Sequence, residues 1–83
     1  MRFSYPRDIV TQVLEEQFQC LVDNTQFGDC VLVQRPGPLQ VAVLAVQEHE
    51  VLYFALQDIC PALDIDYDQL ISALDREVDP FNL

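Results

Sequence analysis

Two short apolar runs rich in β-branched residues lie on either side of Pro36-Gly37-Pro38, and a pair of antiparallel strands is what such a pattern makes. Cys30-Val31-Leu32-Val33-Gln34 is bounded by Gly28-Asp29 before it and by the proline-flanked glycine after it, turn chemistry that ends a strand on both sides. A second strand follows at once over residues 39–47, alternating only loosely, as when both faces meet apolar neighbours or one edge is covered. Glu48-His49-Glu50 reads as a polar hairpin connection and Val51-Leu52-Tyr53-Phe54-Ala55 as a third strand. Residues 30–55 are therefore expected to form a three-stranded antiparallel β-meander, with the order of its strands left open.

The period changes on either side of this meander. Pro6 suits the first turn of a helix, and Ile9, Val10, Val13, Leu14, Phe18, Leu21 and Val22 recur at the three-and-four spacing of one apolar stripe. A helix over residues 7–22 follows, ending in the turn-forming Asp23-Asn24-Thr25. After Leu56 the spacing returns toward 3.6. Asp58 is a candidate cap for a short helix through Ile59, Cys60, Ala62 and Leu63, with Pro61 in its first turn. A second helix begins at Asp66 with Leu70, Ile71, Leu74 and Val78 as its stripe, stopped by Asp79-Pro80. The fold expected is α+β: an N-terminal helix, the meander, and two short C-terminal helices over 58–78.

Eighty-three residues make one domain, small enough that only about 60 to 65% of its surface can be buried on folding. Half the residues are hydrophobic, too many for a disordered acidic tail. The apolar runs are far short of the roughly 20 residues that span a bilayer. The first ten residues have no continuous apolar stretch and no small-residue cleavage site, so a cytoplasmic chain is expected.

Charge is the most informative quantity. Fourteen acids stand against four arginines, with no lysine, and nine of those acids lie from Gln47 onward with Arg76 as the one base. Such a surface repels phosphate and anionic lipid, because nucleic-acid affinity comes from Lys and Arg displacing counterions. Direct binding of nucleic acid is disfavoured.

Asp64-Ile65-Asp66-Tyr67-Asp68 places carboxylates at alternate positions, as a calcium loop begins. The rest of that loop fails: its sixth position is Gln69 where a glycine must turn, its twelfth is Asp75 where a longer glutamate is wanted, and helical spacing runs through it. A helix start explains the same residues, with Asp66 as N-cap, Gln69 as its capping-box partner and Asp68 in the first turn. Cys20, Cys30 and Cys60 are odd in number and lack a C-x-x-C pair, the usage of reduced buried thiols, so neither a disulfide framework nor a zinc site with His49 is expected. No cofactor and no metal is expected. One histidine between two glutamates, two serines and no lysine offer no nucleophile with its base, and the chain is not expected to be an enzyme.

The stretch LYFALQDICPALDIDYDQLISALDREVDP resembles the N-terminal domain of phage antirepressor proteins, related to the BRO-type N-terminal domain of viral and phage regulators. The shared pattern is a hairpin strand ending in Tyr53-Phe54-Ala55-Leu56, then Asp58-Ile59-Cys60, an Ala62-Leu63 helix end, a turn with Ile65-Asp66-Tyr67, and a helix closing in Arg76 and Asp79-Pro80, over roughly residues 41–80. The resemblance implies a phage or prophage regulator that contacts another macromolecule, a repressor protein or DNA. This chain has Asp64 where the family commonly has glycine. It has DQLISALDRE where the family's second helix is usually basic, so the DNA-binding implication does not carry over.

Three functions follow as expectations. The first is a protein-binding regulator, an antirepressor-like inhibitor using an acidic helical face of Asp64, Asp66, Asp68, Asp75 and Glu77 for steering and Tyr67 as aromatic anchor. The second is an inhibitor whose acids imitate nucleic-acid phosphates and block a DNA- or RNA-binding host defence complex, as anti-CRISPR proteins do. The third and weakest is DNA binding by the helix over 66–77 with Arg76 as reader. A homodimer is expected over a monomer, because Val31, Val33, Val41, Val43 and Leu44 offer more apolar surface than three helices cover.

Overall fold

The computed structural model describes residues 3–27 and 29–78. In chain order these form β1 (Ser4–Pro6), α1 (Arg7–Gln17), β2 (Leu21–Phe27), β3 (Cys30–Arg35), β4 (Gln40–Ala45), β5 (Glu50–Leu52), α2 (Tyr53–Leu63) and α3 (Tyr67–Val78). The expected α+β class stands, with an N-terminal helix, a three-stranded antiparallel sheet and two C-terminal helices, but the sheet is built from residues 21–45 and not from the expected 30–55.

The strands on either side of Pro36-Gly37-Pro38 pair as expected, in unbroken register from Cys30↔Ala45 to Arg35↔Gln40. The third strand of the sheet is β2, not residues 51–55, and the strand order is β2-β3-β4. The helix expected over 7–22 ends at Gln17: the Phe18 and Cys20 N–H groups both donate to the Leu14 carbonyl, and Gln19 turns the chain through φ 58°. Leu21 and Val22 continue the helical spacing in sequence, yet in the structure they alternate as a strand does, Leu21 exposed and Val22 packed against the core. Asp23-Asn24-Thr25, expected to be a turn, lies within β2.

The second correction concerns residues 53–56. Glu48 and His49 both take positive φ, 51° and 69°, between mutually hydrogen-bonded Gln47 and Glu50, the two-residue hairpin turn of type I′. The strand that leaves this turn does not continue along β4. It pairs with β1 in the register Ser4↔Leu52, Tyr5↔Val51, Pro6↔Glu50. Helix α2 then begins at Tyr53, five residues before Asp58, which places Pro61 in its last turn. The buried residues Ala55, Leu56, Ile59, Cys60 and Leu63 follow a helical spacing that reaches back through the run read as a strand. The Tyr53 N–H donates to the Phe3 carbonyl at 2.9 Å, so the helix start is tied to the chain just before β1.

The core lies between the inner face of the sheet, Val31, Val33, Ala42 and Leu44, and the helices, which contribute Val10, Val13, Leu14, Leu56, Ile59, Leu63, Leu70 and Leu74. Each buried Val, Leu or Ile side chain among them stabilises the fold by about 1.5 to 3 kcal/mol. Long-range polar ties close the shell. Tyr5 donates through its hydroxyl to Asp75 Oδ1 at 2.7 Å, joining β1 to α3, and Ser4 Oγ donates to Glu50 Oε1 at 3.1 Å. Arg35 Nη1 donates to the carbonyls of Leu63 at 2.8 Å and Asp64 at 2.7 Å, satisfying acceptors that the end of a helix leaves open. The expected helix stop at Asp79-Pro80 and the Gly28 turn residue lie outside the described residues. No helix among the described residues is long and apolar enough to cross a membrane.

Candidate functional site

The acids singled out in the sequence lie on helix α3 and in the turn before it, and the structure divides them. Asp66 caps the helix: its Oδ1 accepts from the backbone N–H groups of Asp68 at 2.9 Å and Gln69 at 3.3 Å. Asp64 is the left-handed residue, φ 55°, that ends α2. The Ile65 N–H donates to Cys60 and the Asp64 N–H to Pro61, the paired bonds of a Schellman motif. Asp64, Asp66 and Asp68 are all exposed at this one turn. Asp75 and Glu77 lie about 13 Å further along the axis, at 1.5 Å per residue. With successive residues about 100° apart, Asp68 and Asp75 share a stripe while Glu77 points to the other side. The five carboxylates therefore form two groups and no single face, and Asp75 is engaged by Tyr5.

Tyr67, the aromatic anchor expected from sequence, is half-buried with its hydroxyl enclosed. Its ring meets that of Tyr53 edge to face, centroids 5.6 Å apart, and Tyr53 meets Phe54 the same way at 6.1 Å. Burial first, then the neighbouring Tyr53 hydroxyl, holds the Tyr67 phenol protonated well above the ordinary tyrosine range. Tyr67 is thus the inner end of a row of three rings, and the outer end, Phe54, is 71% exposed.

Phe54 lines an open groove of about 590 Å³. The groove is lined by Ala45 and Val46 at the end of β4, by Leu52, and by Phe54 and Ala55 at the start of α2. Its rim holds three carboxylates, Asp29, Glu48 and Asp58. Arg7 and His49 line a smaller adjoining hollow of about 100 Å³ that shares Asp29 and Glu48, so the rim stays net acidic. An exposed aromatic on an apolar groove with charged residues at its edge has the composition common at protein-binding surfaces. The sequence signal for it was present: Phe54 falls off the Ala55, Leu56, Ile59, Cys60, Leu63 stripe once that stripe is read as helical, and an aromatic off the stripe faces solvent.

The three cysteines are apart from this groove's chemistry. Cys20 and Cys60 are buried and Cys30, which touches the groove wall, is half-buried, all as free thiols. Burial raises the Cys20 thiol, partly offset by Arg35, and raises the Cys60 thiol to about 11 with help from the Asp66 charge. Burial thus favours the protonated form of Cys20 and Cys60. Among the described residues no three of His, Cys, Asp and Glu converge as a metal site would need. Arg76 is exposed on α3 near Gln69, Gln17 and Phe18. No protein-family model, no curated protein and no solved structure matches the chain.

Proposed function

We propose that this protein is a small acidic regulator that acts by binding another protein, an antirepressor-like inhibitor whose contact is the Phe54 groove. The observation that carries the reading is Phe54 itself, an aromatic 71% exposed on the first turn of α2, beside an apolar groove rimmed by Asp29, Glu48 and Asp58. The partner segment that fits would place an apolar side chain against Phe54 and Leu52 and basic side chains on the rim. The reading rests on this surface more than on the likeness to phage antirepressor and BRO-type domains. The aromatic residues quoted for that likeness, Tyr53 to Leu56, are helical here, and the strand ends at Leu52.

The test is affinity capture from a bacterial lysate with the wild-type protein, Phe54→Ser and Glu48→Lys/Asp58→Lys, each checked for unchanged circular dichroism. A protein held by the wild type and lost by both variants supports the groove. Equal recovery by all three removes it.

A second reading, an inhibitor that imitates nucleic-acid phosphates as an anti-CRISPR protein does, is favoured by the exposure of Asp58, Asp64, Asp66, Asp68 and Glu77 in one half of the chain. It requires capture of a nucleic-acid-binding protein that is released by salt and by competing DNA, since a basic groove holds a polyanion mainly through charge. Both readings place the protein in the cytoplasm of a bacterial host. DNA binding through Arg76 stays the weakest proposal, on the net charge alone.

A further inference from the structure

The sheet β2-β3-β4 is apolar on both faces, and only one is covered. Strand parity separates them. Val31, Val33, Ala42 and Leu44 point inward and are buried, whereas Leu21, Leu32, Val41 and Val43 point outward. Two cross-strand rows run over the outer face, Leu21–Gln34–Val41 and Asp23–Leu32–Val43. Leu21 and Val43 are each 61% exposed and Val41 45%, so no element of the described residues lies over them. An antiparallel sheet that meets water on one side alternates apolar and polar residues. Here the outward positions of β4 carry Val41, Val43 and Ala45 and no charge.

We infer that this face is the contact between two copies of the chain, stacked sheet on sheet about a two-fold axis. Charge selects the occupant. The protein carries a net charge of −10, yet among the described outward residues of the three strands Asp23 is the one carboxylate. A cationic partner is drawn to the acidic rims and gains little from this face. A second copy presents the same surface with its single carboxylate, Asp23, and aligned sheets pack about 10 Å apart through interdigitating side chains. The contact is isologous and therefore closes as a dimer.

Size and charge set the character of that dimer. Three strands about 4.8 Å apart and six residues at about 3.3 Å each give a patch of about 10 by 20 Å. A standard interface buries roughly 800 Å² per partner, so the association is weak and concentration-dependent. Two chains of the same sign also repel everywhere outside the patch. Added salt screens that repulsion and strengthens the dimer, the opposite of its effect on a basic partner at the Phe54 groove.

The experiment is sedimentation equilibrium of the wild type across a concentration series at low and high salt, repeated with Val43→Lys, Leu21→Lys and Phe54→Ser. The wild type is expected to move from one to two chain masses as concentration rises, at lower concentration in high salt. Either lysine, by placing like charges across the two-fold contact, is expected to raise the dissociation constant by about tenfold or more. Phe54→Ser is expected to leave it unchanged, which separates this inference from the groove reading. Methyl resonances of wild-type Leu21, Val41 and Val43 that shift with concentration would locate the contact without any substitution. A wild type monomeric throughout the series overturns the inference, as does a dimer indifferent to both lysines whose shifting methyls lie elsewhere.

Discussion

Tyr5 and Asp75, seventy positions apart in sequence, meet in a hydrogen bond of 2.7 Å from the phenol to the carboxylate. The Tyr5 ring is fully buried while Asp75 is exposed on α3, so the contact joins the first strand to the last helix at the edge of the core. Asp75 reads in sequence as one more surface acid. It is a structural residue, and replacing it with lysine would disturb the fold as well as the surface charge.

Asp75→Ala is expected to lower stability by about 1.5 to 3 kcal/mol, the range for a hydrogen bond to a charged group. Tyr5→Phe should cost a similar amount, and the double variant should cost less than the sum, because both remove one interaction. Urea denaturation of the four proteins closes the cycle. Full additivity would show the contact to be energetically empty.

Arg35 holds the far end of α2 through two carbonyls, and Asp64 takes the left-handed position beside them. Arg35→Met, which keeps the aliphatic stem, is expected to lower stability by about 1 to 2 kcal/mol through the lost charge-assisted bonds. Asp64→Gly is expected to raise it by about 0.5 kcal/mol, since glycine has no Cβ to strain at positive φ. Thermal or urea unfolding distinguishes the two signs directly.

Asp66→Ala removes the cap of α3 and is expected to cost about 1 kcal/mol. Asp68→Ala, which loses only a favourable charge near the helix N-terminus, should cost about 0.3 to 1 kcal/mol and do so less at high salt. Chemical denaturation at two ionic strengths checks the pair.

The Cys60 thiol, raised from 9.0 to about 11 by burial and then by Asp66, gives stability a defined alkaline limb. The folded protein keeps this proton while the unfolded chain releases it near 9.0, so the contribution is complete below that pH and is lost as pH rises toward 11. Cys20 and Tyr67 are raised as well and act with the same sign. The urea midpoint is expected to be insensitive to these groups up to about pH 8 and to fall through about pH 10. Cys60→Ala should flatten part of that fall. An unchanged slope in the variant would assign the fall to other groups.

What could be read from the sequence was local. The β3–β4 hairpin is announced by Pro36-Gly37-Pro38 and by alternation within a dozen residues, and the α3 start by Asp66 with Gln69 three positions on. What could not be read depended on distant partners. Leu21 and Val22 fit a helical stripe as well as a strand, and only the left-handed turn at Gln19 and the edge of β3 decide for the strand. The run 51–56 is apolar throughout and suits either structure; its division at Leu52 follows from β1, whose three residues have no recognisable pattern of their own. The candidate site was lost with that boundary, because Phe54 in a strand is one of several apolar residues and Phe54 on a helix is the one left outside.

The pairing of β1 with β5 has a kinetic side. Ser4 meets Glu50 across 46 positions and Tyr5 meets Asp75 across 70, whereas the Glu48-His49 turn and the two C-terminal helices form from neighbours. Long loops cost the most chain entropy to close, and contacts of wide sequence separation slow folding. The strand nearest the front of the sequence is therefore the one whose place depends on β5 and α3 being in theirs, and the start of α2, bonded to Phe3, is completed only when it arrives.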